Sequence, residues 1–492
     1  MDIKKLLQKQ DIEQIKKLLT DSRPSFEVQR EDAMKQYKVD DHDINDASIR
    51  KDKQITKDTG TFDAEGNPVT QTSTVAVARV AIPFQKLIVE RRIGFMLSIP
   101  VELELKNENQ VGDKGNDLVS MIDDIQDRNK MEYKNKEIAR RLMSEMEVAE
   151  AWYIVENKLK EPKYDLRVSI FSPEQGDTLY PLFDGTGDMI AFGREYKTKS
   201  GDKSIEHLDV STAEAEYRFV KGDTGWALDK EQTPNPIPNQ FQKIMIVYYQ
   251  QPYPEWNDVQ SMIDRLETII SNHADMNDYY GSPMLKVSGE VQGYASKGEQ
   301  GKIIQLTEGS EADYLALASE PSSIKMELEN LQNFIYAMSQ TPDITFERLQ
   351  GVGNLSGVAL ELMFMDAHMA VHGKEEIFGI GLQRRVNILK NAIGKLIDTS
   401  FADVSEKALI VPKLTPYIPA AFSELLQNLQ LSIDAGIMSK ETAIKLNPYV
   451  KDPESEIDLI EGEENMGAID LYQKAGITAP SGDDFSTKIK TK

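Results

Sequence analysis

Cysteine is absent from this chain of 492 residues. Disulfide bonds and thiolate chemistry are therefore both excluded, which suits a protein that folds in a reducing compartment. The chain also lacks any uncharged apolar run of the roughly 18 to 20 residues that a membrane-spanning helix requires. Its first residues, MDIKKLLQKQ, mix apolar and charged side chains and lack the apolar core of a signal peptide. These absences predict a protein that is made and folded in a cytosol and has no membrane partner.

Histidine is scarce as well, with five residues in the whole chain. His368 and His372 lie four residues apart on a predicted helix, so they share a face and could bind one metal ion with Glu375 or Glu376. The sequence HMAVH, however, lacks the glutamate of a metalloprotease motif. We interpret the two histidines as polar helix positions, and a metal-dependent enzyme built on them is the first alternative function.

Two further motifs lack an essential residue. Some ligand positions of a calcium-binding loop are matched by Asp41, Asp43, Asn45 and Asp52. Asp46, however, stands where the sharp turn of such a loop requires glycine. The sequence GVGNLSG at 351–357 has the glycines of a phosphate-binding loop without its Lys-Ser or Lys-Thr ending. No catalytic residue, metal site or cofactor is predicted, and ion binding at the run from Asp40 to Asp46 stays open.

Basic residues are outnumbered, with 57 Lys and Arg against 81 Asp and Glu, which gives a formal net charge of −24. The acids are dense near the C-terminus, where residues 452–464 hold seven acids and no base. A surface of this sign repels phosphate groups, so the composition argues against the basic face with which most DNA-binding proteins hold their ligand.

The hydrophobic period changes along the chain. Apolar residues follow helical spacing over 1–22, 84–100, 128–150, 256–280, 324–338 and 356–398. Between Tyr164 and Tyr249 the period is two, with Gly, Asp, Asn and Pro turns, which predicts an antiparallel β region. Gly66-Asn67 predicts a hairpin, and glycines 373, 379 and 381 are expected kink points. The predicted fold class is therefore α+β, mainly α, with a small α/β insert over 281–320 and a helical C-terminal region.

The stretch TPDITFERLQGVGNLSGVALEL at 341–362 is the most specific in the chain. Pro342 ends the preceding helix because it lacks an N–H group and disfavours the α conformation at the residue before it. The glycines at 351 and 353 free the backbone of the loop, and Asn354 and Ser356 are residues that cap the start of a helix. The pattern therefore predicts a loop between two helices.

The amino-acid sequence of this stretch resembles that of the tunnel loop and the following long helix of tailed-bacteriophage portal proteins. The residues SGVAL at 356–360 resemble the Ser-Gly-x-Ala-Leu motif of the family. FQKLIVERRIGFMLSIPV at 84–101 is similar to an early helix of the family, and GIMSKETA at 436–443, followed by PYVKDP at 448–453, is similar to the crown of siphophage-like portals. The resemblance covers residues 80 to 465.

This resemblance implies the portal fold, with long stem and wing helices, a β-rich wing region, a small α/β clip and a helical crown. The implied parts are the wing (1–255), a stem helix (256–280), the clip (281–320), a second stem helix (321–341), the tunnel loop (342–355), the long wing helix (356–412) and the crown with its acidic tail (413–492).

The resemblance also implies a function without enzymatic activity. Portal proteins form a ring of twelve subunits at one capsid vertex, the conduit through which double-stranded DNA is packaged and ejected. The expected partners are further copies of the chain, DNA as translocated cargo, the terminase large subunit, the major capsid and scaffolding proteins and a head-tail adaptor. The expected location is the portal vertex of the virion, after assembly in the host cytoplasm. An acidic channel would let DNA slide, because binding of DNA depends on Lys and Arg.

Three groups of site residues follow from these assignments. The tunnel-loop residues expected to line the channel are Asp343, Ile344, Thr345, Phe346, Glu347, Arg348, Leu349, Gln350, Gly351, Val352, Gly353 and Asn354. Asp264 and Glu267 are expected to supply channel charge on the first stem helix. Subunit contacts are expected at a stripe with the 4-3-4 spacing of helices packed side by side, which consists of Ile324, Leu328, Leu331 and Ile335.

An unrelated acidic helical scaffold or adaptor is the second alternative function. Particle mass separates the hypotheses, since a ring with a central hole is expected of a conduit, while an extended monomer or dimer is expected of a scaffold. Stoichiometric bound zinc would favour the metal-dependent enzyme.

Overall fold

The computed structural model describes residues 2–62, 66–156, 163–201, 203–223, 225–280, 285–288, 291–293, 305–306, 311–314, 321–344, 362, 364–417, 422–447, 449–450 and 452–462. The chain divides into two compact units, one of residues 1–343 with 366–417 and one of residues 344–365 with 418–492. None of the helices found in these described ranges is long and apolar enough to cross a membrane.

Helices dominate both units. Those up to residue 417 are α1 (Ile3–Lys9), α2 (Ile12–Asp21), α3 (Arg30–Tyr37), α4 (Phe84–Leu97), α5 (Glu108–Val111), α6 (Asp113–Arg128), α7 (Met131–Glu145), α8 (Gln260–Tyr280), α9 (Pro321–Met338), α10 (Met365–Ala392) and α11 (Ala402–Lys407). The second unit contains α12 (Phe422–Asp434), α13 (Lys440–Leu446) and a helix over 453–462.

The strands pair antiparallel throughout the described residues. They are β1 (Lys53–Phe62), β2 (Pro68–Val75), β3 (Glu102–Leu105), β4 (Glu147–Glu156), β5 (Tyr164–Phe171), β6 (Thr178–Phe183), β7 (Met189–Ser200), β8 (Lys203–Thr212), β9 (Ala215–Gly222), β10 (Gly225–Leu228), β11 (Ile237–Pro238), β12 (Ile246–Gln250), β13 (Leu285–Ser288), β14 (Val291–Gly293), β15 (Gln305–Leu306), β16 (Glu311–Tyr314) and β17 (Ile410–Lys413).

Two sheets form the β region. One has the order β10-β9-β8-β7-β6 with β11 beside β9, and the other has the order β12-β4-β5. Two-stranded pairs are β1 with β2, β3 with β17, β13 with β16 and β14 with β15. The α+β class predicted from the changing hydrophobic period is thus confirmed, as are the hairpin around Gly66 and the antiparallel region between Tyr164 and Tyr249.

The N-terminal helices cover one face of the larger sheet. Their apolar residues, Ile3, Leu7, Ile15 and Leu19 among them, form a core cluster with Leu208, Val210 and Phe219 of the sheet. The helical spacing over 1–22 belongs to two helices, because Gln10 adopts left-handed backbone at φ 54°. The side chains of Asp2 and Asp11 cap the two starts by accepting hydrogen bonds from Lys4 N and Gln14 N.

The helix predicted over 128–150 needs correction. The structure has α6 ending at Arg128, α7 from Met131 to Glu145, and strand β4 beginning at Glu147. Met146 adopts left-handed backbone at φ 66° between α7 and the strand. The charged residues Glu147 and Glu150 suggested a solvated helix, but both are buried in the sheet.

Buried charges join α10 to this sheet. Arg385 Nε lies 2.9 Å from Glu150 Oε1, and Arg385 Nη2 lies 2.6 Å from Glu150 Oε2. Arg385 Nη1 also donates to Asn135 Oδ1 of α7 at 2.8 Å. One turn earlier, Gly381 packs on Tyr249 of β12 so closely that a Cβ atom there would lie 1.9 Å from the ring atom Cε1. Helix α10 is therefore fixed to the sheet by one ion pair and one close backbone contact.

Candidate functional site

The long helices α8 and α9 pack against each other within one subunit. Arg265 of α8 reaches Glu327 of α9, with Nη2 2.8 Å from Oε1. The apolar stripe of α9 is covered to different extents: Ile335 is fully buried, whereas Ile324, Leu328 and Leu331 are half-buried. Ile335 is therefore buried by its own chain, and contact of this stripe with a neighbouring subunit stays a prediction.

Three apolar residues of α9 are exposed beside this stripe: Met326 and Phe334 stand outside its spacing, and Met338 continues it three residues after Ile335. Met326, Phe334 and Met338 are between 52% and 60% exposed. They stand eight and four residues apart, so they lie along one row of the helix. We call these three residues the α9 face. The sequence analysis missed Met326 and Phe334, and the available signal was two large apolar residues outside the predicted stripe.

A polar ladder joins α8 to the extended segment 77–82. Ala78 N donates to Asp275 Oδ1 at 2.6 Å, Val80 N donates to Ser271 Oγ at 2.9 Å, and Ile82 N donates to Glu267 Oε1 at 2.8 Å. The periods match, because four helical residues rise about 6.0 Å and two extended residues span about 6.6 Å. Every second N–H of the segment therefore meets an acceptor one helical turn further along α8.

Glu267, which the sequence analysis expected to supply channel charge, belongs to this ladder, and its role in a channel stays a prediction. It is buried, and its Oε1 also lies 2.7 Å from Nδ1 of the buried His42. Burial by itself lowers the pKa of His42, but the hydrogen bond and the negative charge of Glu267 outweigh burial, so the pKa of His42 is raised. Asp264, by contrast, is exposed and accepts a hydrogen bond from Gln260 Nε2 at 2.7 Å.

The base of the predicted tunnel loop is held by two arginines of α4. Arg91 Nη1 donates to Pro342 O, and Arg92 Nη2 donates to Ser339 O at 2.7 Å. Buried Glu255 pairs with Arg92 and also with Lys374 of α10, whose Nζ lies 2.5 Å from Glu255 Oε2. Burial lowers the pKa of Arg92, and Glu255 partly offsets this effect. The point where the loop begins is therefore tied to α4, α9 and α10 together.

Of the loop residues themselves, the structure describes Asp343, which is half-buried, and Ile344, which is exposed. Thr345 to Asn354 lie outside the described residues, as do the SGVAL phrase at 356–360 and the glycine motif at 351–357. The channel-lining role of the loop therefore stays a prediction.

Two of the candidate metal ligands on α10 contact each other, and two in the aspartate run have partners outside it. His372 Nδ1 lies 3.1 Å from Glu375 Oε2 on the exposed side of α10. In the run from Asp40 to Asp46, Asp43 pairs with Lys35, and Asp46 accepts a hydrogen bond from Ser48 N. The described part of the chain contains no group of three or more residues that could hold a metal ion.

These features define a class of protein. The fold is α+β, its long paired helices present an exposed apolar row, and buried ion pairs fix the elements around them. An exposed apolar row on a surface helix is typical of a protein that contacts other protein surfaces.

The comparison with protein families identifies the class further. The family model described as "Phage portal protein, SPP1 Gp6-like" matches residues 26–469, and the chain belongs to this family. The chain is 22% identical over 432 residues to the portal protein of Bacillus phage SPP1. The matched residues cover 83% of this chain and 80% of that protein. The solved structure "Neck of native GTA particle computed with C12 symmetry" matches with a TM-score of 0.35 and 12% identity, over 74% of this chain and 88% of that one. The resemblance found in the sequence is thus confirmed.

Proposed function

We propose that twelve copies of the chain form a ring at one vertex of the capsid and that the ring is the conduit for packaging and ejection of double-stranded DNA. The observation that carries this proposal is membership of the portal family over residues 26–469. The terminase large subunit, the capsid and scaffolding proteins and a head-tail adaptor would bind to the outside of this ring. Assembly would take place in the host cytoplasm, and the finished ring would belong to the virion.

In this proposal α8 and α9 form the stem, and the loop from Asp343 to Asn354 lines the channel. The α9 face supports contact between neighbouring stems, because three large apolar side chains on one row are otherwise left in water. The hydrogen bonds of Arg91 and Arg92 hold Pro342 and Ser339, at the point where this loop begins, against α4. Particle mass and electron micrographs of the purified protein test the ring directly. Closed rings near twelve times 55.5 kDa are expected, and an extended monomer or dimer would contradict the proposal.

Replacing the α9 face by serine, in the variant Met326→Ser/Phe334→Ser/Met338→Ser, is expected to abolish closed rings while the subunit stays folded. Burial of one such side chain contributes roughly 1.5 to 3 kcal/mol, so the loss of three should weaken association by at least about 100-fold. Size-exclusion chromatography with light scattering measures the mass, and circular dichroism checks the fold.

The matched control is Tyr133→Ser, which removes an equally exposed apolar side chain from α7. Rings should survive this change. Leu331→Asp discriminates less well, since Leu331 is half-buried in its own subunit and its replacement disturbs folding as well as assembly. Rings of normal mass from the triple variant would show that the α9 face is not the subunit interface.

If Asp264 faces the channel, Asp264→Lys is expected to make the channel surface bind DNA that otherwise slides past it. The variant adds one cation per subunit, and phosphate contacts by lysine strengthen DNA binding in a strongly salt-dependent way. Rings should assemble normally, retain duplex DNA at low salt, lose it as salt is raised and package poorly. Filter binding over a range of salt concentrations measures the effect.

Asp124→Lys makes the same charge change at an exposed position of α6 and should leave DNA retention unchanged. Glu267→Lys is unsuitable for this test, because it would bury a lysine beside His42 and break the polar ladder. If Asp264→Lys rings bind no DNA at any ionic strength, Asp264 does not line the conduit.

A further inference from the structure

A cleft of about 420 Å³ lies in the first unit, between the turn at 241–243 and the C-terminal part of α10. Its lining residues are polar except for one phenylalanine and consist of Phe241, Gln242, Lys243, Asn387, Lys390, Asn391, Lys395, Ser405 and Glu406. Three lysines therefore share one small cleft. In a protein with a net charge of −24, this concentration of positive charge is unusual.

These lysines lack the counter-charges that most of the basic residues described in the structure have. Together with Arg384 they are four neighbouring cations, and none of the four forms an ion pair with a carboxylate anywhere in the described ranges. Glu406, the one acid in the lining, is exposed. Elsewhere in this unit, comparable cations have acids beside them, as Lys374 has Glu255 and Arg385 has Glu150.

Backbone carbonyl groups orient the cations without neutralising them. Lys390 Nζ donates to Ala408 O at 2.6 Å, Lys395 Nζ donates to Phe241 O at 2.8 Å, and Arg384 Nε donates to Ile246 O at 2.9 Å. An ammonium group has three N–H donors, so each lysine keeps donors for a further acceptor. The cleft thus presents oriented, charged donors.

The cations also repel one another. Burial lowers the pKa of Lys243, and the nearby charges of Arg384 and Lys395 lower it further. The pKa of Lys390 is lowered by burial and by Lys243. The turn that carries three of the lining residues has a cost of its own, because Gln242 adopts left-handed backbone at φ 52°. An anion in the cleft would offset this repulsion.

We propose that this cleft, formed by Lys243, Lys390 and Lys395 with the carboxamides of α10, binds a compact oxyanion of the phosphate type. A phosphate group carries about −1.5 to −2 charges at neutral pH and offers several strong acceptor oxygens, which matches a site with several cations and amides. A volume of about 420 Å³ holds one such group with its water, since a water molecule occupies about 30 Å³. A DNA duplex does not fit into it. This inference is independent of the conduit function.

Calorimetric titration of the assembled wild-type protein with inorganic phosphate, in chloride buffer of constant ionic strength, tests the proposal. Saturable binding and a rise in Tm are expected. Lys243→Gln/Lys390→Gln should weaken the affinity at least tenfold, and Glu406→Gln should strengthen it two- to five-fold because a repelling charge is removed. The control Lys5→Gln/Lys17→Gln removes the same charge from exposed helix positions and should leave binding unchanged.

Each other result overturns the proposal. Absence of saturable binding, or an equal loss of binding in the cleft variant and the control, would mean that phosphate does not bind in this cleft. If the cleft variant fails to fold, competition on the wild type decides: sulfate should displace phosphate and nitrate should not, and failure of sulfate to compete argues against the site. If duplex DNA binds at the same lysines more tightly than phosphate does, the cleft is a nucleic-acid contact and the proposed oxyanion site is overturned.

Discussion

Arg385→Met is expected to lower the free energy of unfolding by about 3 to 5 kcal/mol, because it leaves the Glu150 carboxylate buried without a counter-charge. Both side chains are almost inaccessible, at 1% and 0% exposure. The methionine fills most of the volume of the arginine, so the loss reports on charge more than on packing. Urea denaturation, followed by circular dichroism at equal subunit concentration, measures it.

The double variant Glu150→Leu/Arg385→Met distinguishes the contribution of the Glu150–Arg385 ion pair to stability from that of the packing around it. With both charges removed, the desolvation cost disappears together with the attraction, and a buried ion pair can often be replaced by apolar residues at little cost. We therefore expect the double variant to be more stable than Arg385→Met alone. Equal destabilisation in the two would mean that packing around Arg385, or its bond to Asn135, dominates.

Gly381→Ala is expected to destabilise the protein by about 1 to 3 kcal/mol, the usual cost of forcing extra volume into a packed core. The new methyl group would lie 1.9 Å from Tyr249 Cε1, and that ring is itself fixed against Phe378 with ring centroids 5.5 Å apart. Either the ring or α10 must move. The shift in urea midpoint at unchanged slope gives the size of the effect.

Gly379→Ala is the matched control, two residues earlier in the same helix. A Cβ atom there meets nothing within 4 Å, and alanine is favoured over glycine in a helix interior by roughly 1 kcal/mol. The control should therefore be as stable as the wild type or more stable. If both variants lose stability equally, the close contact at Tyr249 is not the cause.

Local patterns in the sequence were enough to locate most elements. The apolar spacing correctly predicts the helices Phe84–Leu97, Gln260–Tyr280 and Pro321–Met338. A helix with one buried face has an apolar residue every three to four positions, so its sequence shows which face is buried. Strands β13 and β15 likewise fall within the insert predicted over 281–320. Helix α6 went unrecognised, although its apolar residues Leu118, Ile122 and Ile125 follow the same spacing.

The errors share a physical cause, which is that the partner of a side chain can lie far away in sequence. Glu150 and Arg385 are separated by 235 residues, and Glu267 and His42 by 225. An acidic residue next to other charges indicates a solvated surface until a distant cation or N–H group is known to meet it. In the same way, the spacing of Ile324 to Ile335 gives the apolar side of α9 but not the element that covers it. The periodicity of a sequence predicts which face of a helix is apolar. The residues that contact this face are known only from the folded structure.

The polar ladder on α8 fixes how this helix can move. An axial slip by one helical turn would bring either Ile263 or Tyr279 opposite an N–H group that now has an acceptor, and would also separate Arg50 from Asp275, whose Nη2 and Oδ2 are 2.9 Å apart. Neither the isoleucine nor the tyrosine ring replaces a carboxylate as acceptor, so a slipped register leaves an amide group unsatisfied. One-turn ratchets between packed elements are a known mode of conformational change. Along segment 77–82 the unpaired amide and the lost Arg50–Asp275 pair oppose this mode of movement, so α8 and the N-terminal chain are expected to move as one body.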